Sequence, residues 1–156
     1  MSPTEAEMHV QFMAHPEQTV FTSSPNQYKS AQNTSTAVFA VGSSGRATIY
    51  SSEPGSFQIA GHRSVGSDVL SCDWLDANVL AIGTRRGEVV LWDTRVSSEG
   101  GSVTRFALPS QKVAAANKKR RNTQVAEAIG KMHCVHAKSQ IVIKGGRDVA
   151  GLFDLR

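Results

Sequence analysis

Three stretches of this 156-residue chain resemble one another, and that repetition constrains the fold more than any single residue does. They are VFAVGSSGRATIYSS (Val38–Ser52), VLAIGTRRGEVVLWDTR (Val79–Arg95) and QIVIKGGRDVAGLFDLR (Gln140–Arg156). Each joins a short apolar run, a small-residue turn, a second apolar run and an aromatic near its end: Tyr50, Trp92 and Phe153. Short runs rich in Val, Ile and Leu on either side of a Gly-containing turn favour a β-hairpin over a helix. Gly45 and Gly87 can supply the positive φ that such turns use.

Side chains alternate across a strand, so in the middle repeat Val89 and Leu91 should share one face while Val90 and Trp92 share the other. Both faces are apolar, as a sheet packed between two neighbours requires. Further strands are predicted ahead of the hairpins, at Thr19–Ser24, Asp68–Trp74 and Gly130–Val135. Others follow the first two hairpins, at Ser56–Ala60 and Ser102–Leu108, making four strands per unit. Tyr50 and Trp92 are about 42 residues apart, inside the roughly 40–45 expected of a four-stranded propeller repeat. The next interval, to Phe153, is longer by about 19 residues. The excess, Ser110–Ile129, has no sustained apolar stripe and reads as a solvent-exposed insertion.

These residues resemble the WD-repeat family. Gly61-His62 precedes the middle repeat, Trp92-Asp93 closes it, and GTRRGEVVLWDTR follows the family's hairpin pattern closely. The third repeat has FDLR where the second has WDTR; the first keeps only the apolar pattern and Tyr50. The resemblance covers Thr19 to Arg156 and implies an all-β fold: an incomplete WD-repeat β-propeller of four-stranded antiparallel blades. Residues 1–18 are expected to be a flexible N-terminal segment and 19–156 the partial propeller, with its basic insertion at 110–129. About two and a half blades fall short of the four to eight of a closed ring, so a fragment or truncated product is expected. The family often places an Asp in the turn between second and third strands, anchoring a network with the His. Arg86 stands there in the middle repeat, which leaves two readings of His62 open: network member or surface residue.

The composition, 40% hydrophobic and 19% charged, fits a soluble globular protein. No apolar run is long enough for a membrane helix, and MSPTEAEMHV lacks the basic start and apolar stretch of a secretory signal. Cys72 and Cys134 hold near-equivalent places in successive repeats, which predicts two buried thiols and no disulfide in a reduced nuclear or cytoplasmic setting. Along a strand, His133 and Cys134 should point to opposite faces. No metal site, cofactor site or catalytic motif is recognisable, so the expectation is a non-enzyme.

Asp93-Thr94-Arg95 and Asp154-Leu155-Arg156 end successive repeats alike. They resemble the paired motif of WD-repeat substrate receptors that dock on the damaged-DNA-binding adaptor of cullin–RING ubiquitin ligases. The resemblance implies a protein-interaction scaffold with Asp93, Arg95, Asp154 and Arg156 at the docking rim. An Arg suits that role because its planar fork grips carboxylates or carbonyls. The competing reading is a local pair between each Arg and its neighbouring Asp. Lys118, Lys119, Arg120 and Arg121 carry much of the net charge of +4. They read as a solvated loop, with nuclear import or phosphate contact in a nucleic acid as the alternative. No aromatic lies near them for base stacking.

Overall fold

A computed structural model describes residues 19–32, 37–53, 56–96, 104–107, 128–135, 139–145 and 150–156. Eleven strands and one short helix follow in the order β1 (Val20–Pro25), α1 (Gln27–Gln32), β2 (Ala37–Ser43), β3 (Arg46–Glu53), β4 (Ser56–Ser64), β5 (Val69–Trp74), β6 (Val79–Thr84), β7 (Glu88–Asp93), β8 (Thr104–Ala107), β9 (Ile129–Val135), β10 (Gln140–Gly145) and β11 (Ala150–Asp154). They form three antiparallel sheets: β1-β2-β3-β4, β5-β6-β7-β8 and β9-β10-β11. All three repeats are therefore hairpins, flanked by the strands expected from the sequence. Gly45 and Gly87 take φ of 77° and 80° in the first two turns. The third turn lies outside the described residues, as do residues 1–18 and Lys118–Arg121. Ile129, the last residue of the expected insertion, instead opens β9 and is fully buried.

The three units match in detail. Each first strand carries one extra residue at the same place in its ladder. Pairing jumps from Val20↔Ser43 to Thr22↔Gly42, from Val69↔Thr84 to Ser71↔Gly83, and from Ile129↔Gly145 to Lys131↔Lys144. Such a bulge bends a strand and increases its twist, and three equivalent ones give the sheets one shape. The backbones of successive sheets meet mainly at their first strands, β1 against β5 and β5 against β9.

Stacking follows the period of two. Val90 and Trp92 face the first sheet, in a core with Val38, Ala40, Ala47 and Ile49. Val89 and Leu91 face the third, in a core with Ile129, Cys134, Ile141 and Ile143. The second sheet is thus buried on both sides, as its sequence predicts. Small residues set the spacing. A Cβ on Gly42 would fall onto Val69 and within 2.6 Å of Thr22, and one on Gly83 within 2.5 Å of Ile129. Both positions need glycine because the next sheet lies where a side chain would be.

Polar groups bridge the same interfaces. Trp74 Nε1 donates to Ser24 O at 3.1 Å, and Asn26 Nδ2 donates to Ala77 O at 3.0 Å. Ser71 Oγ donates to Ile129 O at 2.8 Å, and Cys134 N donates to Asp73 Oδ2 at 2.7 Å. The last two satisfy the outer edge of β9, which has no ladder partner beyond it among the described residues. The helix α1 was not foreseen from sequence. Six residues are too few for a helical stripe; what starts it is Asn26, whose Oδ1 accepts from Tyr28 N and Lys29 N as an N-cap.

Candidate docking rim

The strand order fixes which chain ends share a rim. In every sheet the third strand runs the same way, so β7 and β11 end on one rim, beside the loops that lead into β6 and β10. Asp93 and Asp154 close these strands, and Arg95 and Arg156 follow two residues later. Local hydrogen bonds hold this rim. Asp76 Oδ1 accepts from Asn78 N and Val79 N, Thr94 N donates to Asn78 O, and Leu155 N donates to Ser139 O.

The two Asp-x-Arg units are superimposable in their bonding. Asp93 Oδ1 accepts from Arg95 N at 3.1 Å and from Arg95 Nε at 3.0 Å, while Oδ2 accepts from Arg95 Nη2 at 2.6 Å. Asp154 receives Arg156 N at 3.0 Å, Nε at 2.9 Å and Nη2 at 2.6 Å. The local pair is therefore formed in both repeats. Its cause is short range: with one residue between them, the carboxylate can close a turn on the backbone N–H and hold the guanidinium in the same plane. The Arg95 guanidinium holds the Asp93 carboxyl down to about 2, and Arg156 lowers that of Asp154 in the same way. Both arginine side chains stay about two-thirds exposed, at 68% and 70%. A pair so open to water adds little to stability. What it does is orient. Two of the five N–H donors on each guanidinium are committed to Asp, and the others find no acceptor among the described residues.

Beside Arg95 lies a cleft of about 300 Å³ lined by Ala60, Gly61, His62, Trp92, Thr94 and Val96. His62 sits within β4 opposite Thr48, exposed, which favours the surface reading over the network reading. Gly61 and Val96 are cleft residues that sequence reasoning did not single out. Their signal is tertiary: the Trp92 ring edge passes Gly61 at ordinary contact distance, 3.7 Å from where a Cβ would stand.

The insertion leaves from the other rim. β8 ends at Ala107 opposite Glu88, and β9 begins at Ile129 opposite Gly145, both at the end of the sheets remote from Asp93 and Asp154. Lys118–Arg121 fall in the chain between these two strands, outside the described residues.

Cys72 and Cys134 are both buried and both free. Burial pushes each thiol up to about 12. His133 is exposed on the face opposite Cys134, with Nδ1 3.6 Å from Asp73 Oδ2. Among the described residues no three His, Cys, Asp or Glu side chains converge as a metal ion would need, and no helix is long and apolar enough to cross a membrane. No family model matches the chain, and no curated protein matches it in sequence.

Proposed function

We propose that the chain is a non-catalytic protein-interaction scaffold of the WD-repeat propeller type, and that Arg95 and Arg156 dock it on the damaged-DNA-binding adaptor of a cullin–RING ubiquitin ligase. Three matching sheets with the same bulge, the same facing rule and adjoining first strands support the propeller reading. The observation that carries the docking reading is the pair of congruent forks on one rim. Each Asp holds its Arg in place before a partner arrives, so less side-chain entropy is lost on binding.

The test is recovery of the purified adaptor on immobilised chain. Wild type should retain it, and Arg95→Ala with Arg156→Ala should lose most of it. Asp93→Asn with Asp154→Asn should bind more weakly than wild type, because the forks are no longer held. Equal recovery by wild type and the double arginine variant refutes the docking role of these residues.

A further inference from the structure

The three sheets present equivalent faces toward the side on which the next sheet would lie, and the third face differs from the other two at matched positions. In the first sheet this face carries Ala40 and Gly42, paired with Ser24 and Thr22. In the second it carries Ala81 and Gly83, paired with Asp73 and Ser71. The pattern is the same: a small residue, a glycine, and short polar partners on the first strand. Both faces are covered, and both glycines are positions where an added Cβ would collide with the following sheet.

In the third sheet the same register holds Val142 and Lys144, paired with His133 and Lys131. A lysine stands where the covered faces have glycine, and a second lysine stands directly across from it. Like charges opposite each other on one face of a ladder destabilise it. Among the described residues neither lysine has an acidic partner. Both line a groove of about 210 Å³ together with Gly130 and Gly145. Next to the lysines, Val142 and Leu152 are cross-strand partners and stand 40% and 62% exposed. The face is therefore an apolar pair with a cationic pair at one side, and it lacks the small residues that let a sheet of this kind close down on its neighbour.

We propose that this face docks an extended acidic segment of a partner protein, with carboxylates on Lys131 and Lys144 and apolar side chains on Val142 and Leu152. A strand-like peptide fits because residues two apart fall on one side, which matches the spacing of the sheet beneath. The apolar pair favours a peptide over a nucleic acid, since a phosphate backbone makes no use of exposed Val142 and Leu152 while the alternate side chains of an extended peptide can cover both. Asp154, held by Arg156, closes the same face two residues beyond Leu152, but the proposal does not depend on the docking role of Arg95 and Arg156.

The experiment is fluorescence anisotropy on the full chain with a labelled peptide of alternating Glu and Leu. A Glu–Ser peptide of equal charge and a single-stranded oligodeoxynucleotide of equal length serve as comparison probes. The Glu–Leu peptide should bind best. Lys131→Glu with Lys144→Glu should weaken it tenfold or more, and Leu152→Ser should weaken it severalfold. Both lysines and Leu152 are exposed, and circular dichroism on each variant confirms that the fold is kept. Equal affinity of wild type and the lysine variant overturns the proposal. So does tighter binding of the oligonucleotide, which would make this a phosphate site. Self-association of the chain that is abolished by Leu152→Ser would give the face to a second copy and equally overturn it.

Discussion

Replacing Gly83 by alanine probes how closely the second and third sheets approach. The new methyl would fall 2.5 Å from Ile129 Cγ2 and 2.8 Å from Ile129 Cβ, and closer still to Ser71 Oγ. None of these atoms moves freely. Ile129 is fully buried, and Ser71 Oγ is bonded to Ile129 O at 2.8 Å. Overpacking of this kind costs roughly 1–3 kcal/mol. Loss of the Ser71 bond adds about 0.5–1.5 kcal/mol, so about 2–4 kcal/mol is expected in all. For a chain of this size that corresponds to a Tm lower by roughly 5–15 °C. Urea unfolding followed by tryptophan fluorescence measures it, because both tryptophans, Trp74 and Trp92, are buried. Gly61→Ala is the matched control. Its methyl would meet Trp92 at 3.7 Å, an ordinary contact, and should change stability by less than about 1 kcal/mol. If Gly83→Ala is as mild as Gly61→Ala, Ile129 does not seat on Gly83 and the packing of the third sheet described above is wrong.

Two further outcomes are expected. Trp92 is 2% exposed between the first and second sheets, so Trp92→Ala should cost roughly 3–5 kcal/mol; a change within about half a kcal/mol in thermal unfolding would contradict its core position. Because burial raises both thiols to about 12, Cys72 and Cys134 should resist a thiol-specific disulfide reagent at pH 8 in the folded chain and react at once in denaturant. Fast labelling of either in the native state would show that the sheet interfaces open.

Much of the fold was legible because strand information is local. The alternation of Val89, Val90, Leu91 and Trp92 announces a strand with two buried faces, and both faces are buried in separate cores. The Asp-x-Arg pairs were legible for the same reason, although the sequence left open whether each Arg would turn to its own Asp. Both do, as the competing local reading expects, and the docking role of the two arginines stands as a proposal. His62 was less legible. A Gly-His pair carries no information on whether its side chain meets a neighbour, and here it lies exposed near the end of β4.

By itself, the sequence determined the hairpins, the turn glycines at Gly45 and Gly87, the paired places of Cys72 and Cys134, and the closing Asp-x-Arg units. All of these depend on residues close together in the chain or on a period of two. Only the tertiary structure decided which face meets which sheet, why Gly42 and Gly83 have no side chain, and how Ser71 and Asp73 cover the edge of β9. It alone brought Lys131 opposite Lys144. The physical reason is register. A strand's own residues state that its side chains alternate, but the offset between two strands, including the extra residue in β9, is set by packing against a sheet whose residues lie some sixty positions earlier.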